Sequence, residues 1–169
     1  MKYIAYLLVG SNVDKETCYP AAFLKIASLG EVLAVSPVYE TEPVRMIGAP
    51  DFFNGALKLR TELDPETFKS RLITDVEEPL GRRRQGTGPI RPRTIDVDIA
   101  LWDDLVGTIA GRQVPDPDLL TCIHAARPMA DIAPDLRHPV TGQTMAAIAE
   151  QLTSTCALPR IRPDVILPL

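Results

Sequence analysis

Arg93-Thr94-Ile95-Asp96-Val97-Asp98-Ile99-Ala100-Leu101 alternates apolar Ile95, Val97 and Ile99 with Asp96 and Asp98, the period of a β-strand. Side chains at i and i+2 of a strand leave the same face. The two carboxylates therefore point one way, roughly 6–7 Å apart at the backbone for a rise of ~3.3 Å per residue. Two such charges repel and need compensation. Arg82, Arg83, Arg84, Arg91 and Arg93 stand just upstream, in a stretch broken by Gly86, Gly88, Pro89 and Pro92. Oxygen ligands suit Mg²⁺ and arginine forks suit phosphoryl oxygens, so the pattern fits a metal and a polyphosphate. The plainer alternative is a solvated strand face beside a basic loop.

Working outward from that strand, Lys2 to Val9 reads as a buried strand, and Gly10-Ser11-Asn12 as a turn whose residues tolerate positive φ. A helix is predicted from near Thr17 to Leu29, with Pro20 in its first turn and Gly30 at its end. Glu31 to Val38 reads as a second strand. Pro43, Gly48 and Pro50 mark a long loop, and Phe52 to Arg60 reads as a third strand. Asp64-Pro65-Glu66 opens a helix with an N-cap, a first-turn proline and an acid at the positive end of the dipole. Pro79 and Gly81 stop it.

The order strand, helix, strand, strand, helix, strand is the ferredoxin-like βαββαβ arrangement. It predicts an α+β fold: an antiparallel sheet, helices on one face and a C-terminal extension. In that extension Val114 to Asp118 reads as a proline-rich loop. Thr121 to Ile132 reads as a helix interrupted at Pro128, Met145 to Leu152 as a short helix, and Pro159 to Leu169 as an extended tail. With no repeat or linker visible, residues 1–169 read as one domain.

The chain has 169 residues, 46% hydrophobic and 24% charged, enough for one real core. The formal net charge of −4 argues against general nucleic-acid binding, and an aromatic content of 5% argues against a base-stacking platform. The arginine cluster is thus a local positive site on an acidic body, suited to a small anionic ligand. Cys18, Cys122 and Cys156 are far apart and include no CxxC pair, which reads as reduced thiols in a cytoplasmic protein rather than a zinc site or disulfide framework. The apolar run before Gly10 is too short to cross a bilayer and reads as a first strand rather than a signal peptide.

Several stretches together resemble the 6-hydroxymethyl-7,8-dihydropterin pyrophosphokinase family. They are Val9 to Asn12, Ser36 to Pro43, Pro50 to Ala56, Glu77, Gly81 to Arg84, Pro92 to Asp98, Asp131 to Leu136 and His138-Pro139. Order and spacing agree from about residue 3 to residue 140. The resemblance implies a ferredoxin-like fold and transfer of diphosphate from ATP to the pterin hydroxymethyl group, releasing AMP. It assigns Asp96 and Asp98 to two Mg²⁺ ions, with ATP as co-substrate. Thr41, Pro43, Phe52 and Asn54 fall to the pterin pocket. Arg82, Arg84 and Arg93 fall to catalysis, the last two also to ATP, with Glu77 and Ile99 on the nucleotide side. Gly10 and Asn12 form the turn beneath the site. The implied partners are ATP and a reduced pterin, without nucleic acid or membrane, in a monomer or weak homodimer.

The chain departs from the family pattern in two places. Ile90-Arg91-Pro92-Arg93 stands where the family has Trp-Gly-Pro-Arg. Asp116, Cys122 and His124 stand where it has a histidine, an arginine and an aromatic. Asp116 near a triphosphate repels it unless a metal or Arg127 compensates. His124 is open to three readings: a stacking partner for the pterin, a substitute phosphate donor, or a partly buried helix residue. Arg127 reads either as a replacement arginine or as a solvated helix residue, and Cys122 as a small packing residue. Three functions stay open: an active divergent pyrophosphokinase, one for a related pterin, and a non-catalytic pterin- or nucleotide-binding module.

Overall fold

The computed structural model describes residues 1–43, 48–83, 92–157 and 159–168. Its centre is an antiparallel sheet in the order β5-β1-β4-β3-β8, with β2 also paired to β4. β1 (Tyr3–Ser11) is flanked by β4 (Phe52–Thr61) and by β5 (Asp96–Trp102), the strand that carries both aspartates. The expected second strand is two pieces, β2 (Glu31–Val35) and β3 (Tyr39–Thr41). Pro37 lies in the break and has no N–H to give a ladder. Ser36 bridges it: its backbone N–H donates to the Ala56 carbonyl at 3.0 Å and its Oγ accepts from the Ala56 N–H at 2.9 Å.

One face of the sheet is covered by α1 (Lys15–Ala27) and α2 (Pro65–Arg71). Tyr19, Phe23 and Ile26 of α1 and Phe68 of α2 pack on Leu7, Phe53, Leu57, Val97 and Ile99. This is the helical layer expected of the βαββαβ core. α1 begins at Lys15, which moves Pro20 into its second turn. After α2 the chain widens into a π-helical turn (Leu72–Glu77) and then a 3₁₀ turn, closed by Gly81 at φ 80°.

The C-terminal extension covers the opposite face. α4 (Ile123–Ile132) and α5 (Met145–Thr153) bury Ala126, Met129, Met145 and Ile148 against Tyr6, Ala56, Ala100 and Leu101. The helical break falls at Cys122 rather than at Pro128. Cys122 is extended and ends the short α3 (Asp118–Thr121), while its carbonyl accepts the N–H groups of Ala125 and Ala126, as an N-cap residue does. Pro128 is buried inside α4. The tail contributes β8 (Arg160–Ile161) to the sheet edge at β3. A hairpin of β6 (Gly107–Ile109) and β7 (Arg112–Val114) turns at Ala110-Gly111, both at positive φ.

Candidate active site

A cleft of about 820 Å³ opens on the sheet face that carries Asp96 and Asp98. Their neighbours Val97 and Ile99 point into the core, so strand alternation presents both carboxylates outward together. Asp96 is held by two arginines. Arg82 Nη2 lies 3.2 Å from its Oδ1, and Arg93 Nη1 pairs with its Oδ2. The Nε atoms of Arg82 and Arg93 are buried without a hydrogen-bond partner among the described residues. Such donors are costly to leave unmet and suit an incoming oxygen-rich anion.

Asp98 has a different setting. Its nearest cation is Lys69 Nζ at 3.7 Å, and that amine also donates to the Val97 carbonyl at 2.6 Å. The side chain is 34% exposed, but only into the cleft. Desolvation, then the neighbouring Asp96, push its carboxyl up to about 6. Asp116 lines the same cleft, and burial raises its carboxyl too. A carboxyl group raised by burial beside other acids is one that a cation would relieve.

The loops around the cleft are tied by Asn12. Its Oδ1 accepts the Arg93 N–H at 2.7 Å and its Nδ2 donates to the Pro50 carbonyl at 3.2 Å. Its backbone N–H and that of Val13 donate to the Arg93 carbonyl, and Ser11 Oγ donates to the Thr94 carbonyl. The turn after β1 therefore pins both the approach to β5 and the approach to β4. Gly10 leaves room beside it, since a Cβ there would sit 3.2 Å from Asn54 Oδ1.

At the other end of the cleft, Asn54 Nδ2 donates to Thr41 Oγ1 at 2.7 Å, which fixes the amide's orientation. Thr41, Phe52, Asn54, Arg93, Asp96, Asp98, Ile99 and His124 all line the cleft, as do Asp116 and Cys122. Pro43 is not among the described lining residues. Glu77 departs from its expected place on the nucleotide side. It is fully buried at the end of the π-helical turn, where its Oε1 accepts the Val97 N–H at 3.0 Å. There it supports the aspartate strand from within the core. Arg84, Ile90 and Arg91 lie outside the described residues.

Arg127 does not compensate Asp116. Its guanidinium pairs with Asp131 at 3.0 Å, and Tyr39, which also donates to Asp131, lies 3.5 Å from its Nε. Sequence reasoning missed two cations of the cleft. Lys69 lies on α2 with no motif around it to single it out, and Arg112 sits on a hairpin that periodicity did not show.

A family model for 7,8-dihydro-6-hydroxymethylpterin-pyrophosphokinase (HPPK) matches residues 6–134. The chain belongs to the HPPK family. It is 32% identical over 146 residues to the Bacillus subtilis 2-amino-4-hydroxy-6-hydroxymethyldihydropteridine pyrophosphokinase, covering 83% of this chain and 84% of that protein. It is 35% identical over 154 residues to the folic acid synthesis protein fol1 of Schizosaccharomyces pombe, covering 89% of this chain and 21% of that one. It thus spans about a fifth of the fungal relative. Among solved structures, Plasmodium falciparum HPPK-DHPS with pterin and p-hydroxybenzoate superposes with a TM-score of 0.71 at 14% identity, covering 91% of this chain and 42% of that one. That likeness places the chain in the HPPK fold, ferredoxin-like as its strand order indicates. Among the described residues, no helix is long and apolar enough to cross a membrane.

Proposed function

We propose that this HPPK-family chain, residues 1–169 acting as one domain, transfers diphosphate from ATP to 6-hydroxymethyl-7,8-dihydropterin and releases AMP. One observation carries the reading most: Asp96 and Asp98 share a cleft with Arg93 and Lys69, while Arg82 reaches Asp96. Family membership supports the same activity.

In this reading the hydroxymethyl oxygen attacks the β-phosphorus of ATP, the bond to the α-phosphate oxygen breaks, and AMP leaves with that oxygen. The hydroxyl proton passes to solvent or product. Asp96 and Asp98 hold Mg²⁺, and their hard oxygen donors and the raised Asp98 carboxyl fit that ion. When bound, Mg²⁺ neutralises phosphate charge and orients in-line displacement. Arg82 and Arg93, with buried Nε donors unpartnered among the described residues, would turn to phosphoryl oxygens, and Asp96 and Asp98 would be the residues that hold the cation. Arg84 joins them from the same arginine run. Ile99 backs the nucleotide side. Thr41 orients Asn54 toward the pterin edge, and Phe52 and His124 supply walls for the ring. The free thiols suit a cytoplasmic protein, and the reading needs no partner beyond the two substrates, in a monomer or weak homodimer.

Incubation with Mg²⁺, ATP and 6-hydroxymethyl-7,8-dihydropterin, resolving AMP from ADP, tests this. Pterin-dependent AMP is the expected product. No AMP from a folded sample that binds pterin would sink it. One observation favours a second reading, a related pterin as acceptor: Asp116, Cys122 and His124 all face the cleft while Arg127 is held by Asp131. AMP formed with another pterin alone would establish that reading.

A further inference from the structure

The cleft lining carries a group of donors to which the proposed phosphoryl transfer gives no metal-binding role. A carboxylate oxygen of Asp118, the Sγ of Cys122 and a ring nitrogen of His124 all lie within 4.8 Å of one another. It is the one group of three such donors found among the described residues. We propose that Asp118, Cys122 and His124 form a binding site for a borderline transition-metal ion, with Zn²⁺ the best chemical fit, on the wall of the cleft.

The backbone explains how three residues spread over seven positions converge. α3 spans only Asp118–Thr121, so Asp118 and Cys122 are one helical turn apart. Cys122 is extended, with φ −124° and ψ 119°, and α4 begins at the next residue. That single extended residue redirects the chain and brings His124, in the first turn of α4, back to the thiol. Cysteine spacing alone cannot reveal such a group, because only one of its donors is a cysteine. Cys18 is buried and Cys156 belongs to no such group among the described residues.

The donor set decides the class of ion. One thiolate and one imidazole are softer than the oxygen ligands that Mg²⁺ and Ca²⁺ prefer, and they suit Zn²⁺ and its neighbours. Around a tetrahedral zinc, with metal–ligand distances of about 2.0–2.3 Å, donor atoms stand about 3.3–3.8 Å apart. Small side-chain rotations from the observed spacing reach that, and Cys122 and His124 sit at the α3–α4 junction. Cys122 Sγ lies 3.6 Å from Thr121 Oγ1, and the Asp118 side chain hydrogen-bonds the same thiol, so one donor of the group already touches another. All three residues line the cleft. Three protein ligands would leave a fourth position for water or another ligand, as open zinc sites do. Binding displaces the thiol proton to solvent.

The test is titration of chelator-treated, gel-filtered protein with Co²⁺, without ATP or pterin. The expected result is one Co²⁺ per chain with near-ultraviolet thiolate-to-cobalt absorption, bleached by Zn²⁺ and untouched by Mg²⁺. Cys122→Ser should abolish the band, and His124→Gln should weaken Co²⁺ binding about tenfold or more. Cys18→Ser and Cys156→Ser should leave it unchanged. Absence of the band from the unaltered protein, or its survival in Cys122→Ser, would overturn the proposal. Because neither substrate is present, this result stands or falls apart from the activity proposed for Asp96 and Asp98.

Discussion

Asp96 and Asp98 are neighbours on one strand face, yet they are compensated differently. Asp96 has two guanidinium groups and Asp98 has one buried amine at a longer distance. Asp96→Ala and Asp98→Ala should each lower turnover by at least ~10²-fold while circular dichroism stays unchanged. A near-normal rate in either variant would remove it from the metal site. A second residue-scale prediction concerns Gly55 in β4. A Cβ there would stand 2.3 Å from the Tyr19 hydroxyl oxygen and 3.1 Å from Ser36 Oγ. Gly55→Ala should therefore destabilise by about 1–3 kcal/mol. The Tyr19 hydroxyl is buried without a hydrogen-bond partner among the described residues. Tyr19→Phe should be neutral or stabilising, and should recover much of the loss in the double variant. Urea unfolding of the two single variants and the double variant checks both expectations. The reason for this glycine lies in a partner distant in sequence, so no local pattern announces it.

At the scale of elements, the three long strands and the first two helices were legible because each has one clear period and a strong stop. The aspartate strand shows the rule well: Val97 and Ile99 are core residues and the acids between them are not. Legibility failed where a single backbone group outweighs periodicity. Pro37 splits the second strand although its flanks read as continuous, and the helical break falls at the extended Cys122 while Pro128 sits inside α4. The β6–β7 hairpin has strands of three residues and a turn of Ala110-Gly111, without the Asn-Gly or Asp-Gly that marks such turns. β8 is shorter still, at two residues, and charge helps to hold it. Glu40 of β3 accepts from Lys15 at 2.8 Å and from Arg162, just after β8, at 2.9 Å. Lys15, then Arg162, hold the Glu40 carboxyl below its usual range against partial burial. A carboxyl depressed in the folded state stabilises above its unfolded pKa, about 4.3, and loses that contribution as pH falls through the folded value. Glu40→Gln should thus lower the melting temperature at pH 7. The gap to the unaltered protein should close as pH drops below about 4. An equal gap at pH 7 and pH 3 would show that the carboxylate's charge does not anchor β8.

Across the whole molecule, the sheet separates two kinds of work. The face under α1 and α2 is apolar and carries Glu77, whose buried carboxylate holds the Val97 N–H. The opposite face is closed at one end by α4 and α5 and left open at the other, and the cleft is that open end. The candidate site was legible where its residues lie on the regular strands β4 and β5. It was not legible where residues arrive from the extension, because Arg112, Asp118 and the turn at Cys122 depend on how α3 and the hairpin dock. Asn12 spans the open end with one amide, touching the chain before β5 through Arg93 and the chain before β4 through Pro50. A single peg touching both approaches would link the proposed nucleotide and pterin sites, because a ligand that shifts Asn12 from one side shifts its contacts on the other. Such linkage is reciprocal, so a nucleotide should tighten pterin by the same factor that pterin tightens the nucleotide. Asn12→Ala should bring that factor toward one in calorimetric titrations with a non-hydrolysable nucleotide. An undiminished factor would mean that the two loops communicate by another route.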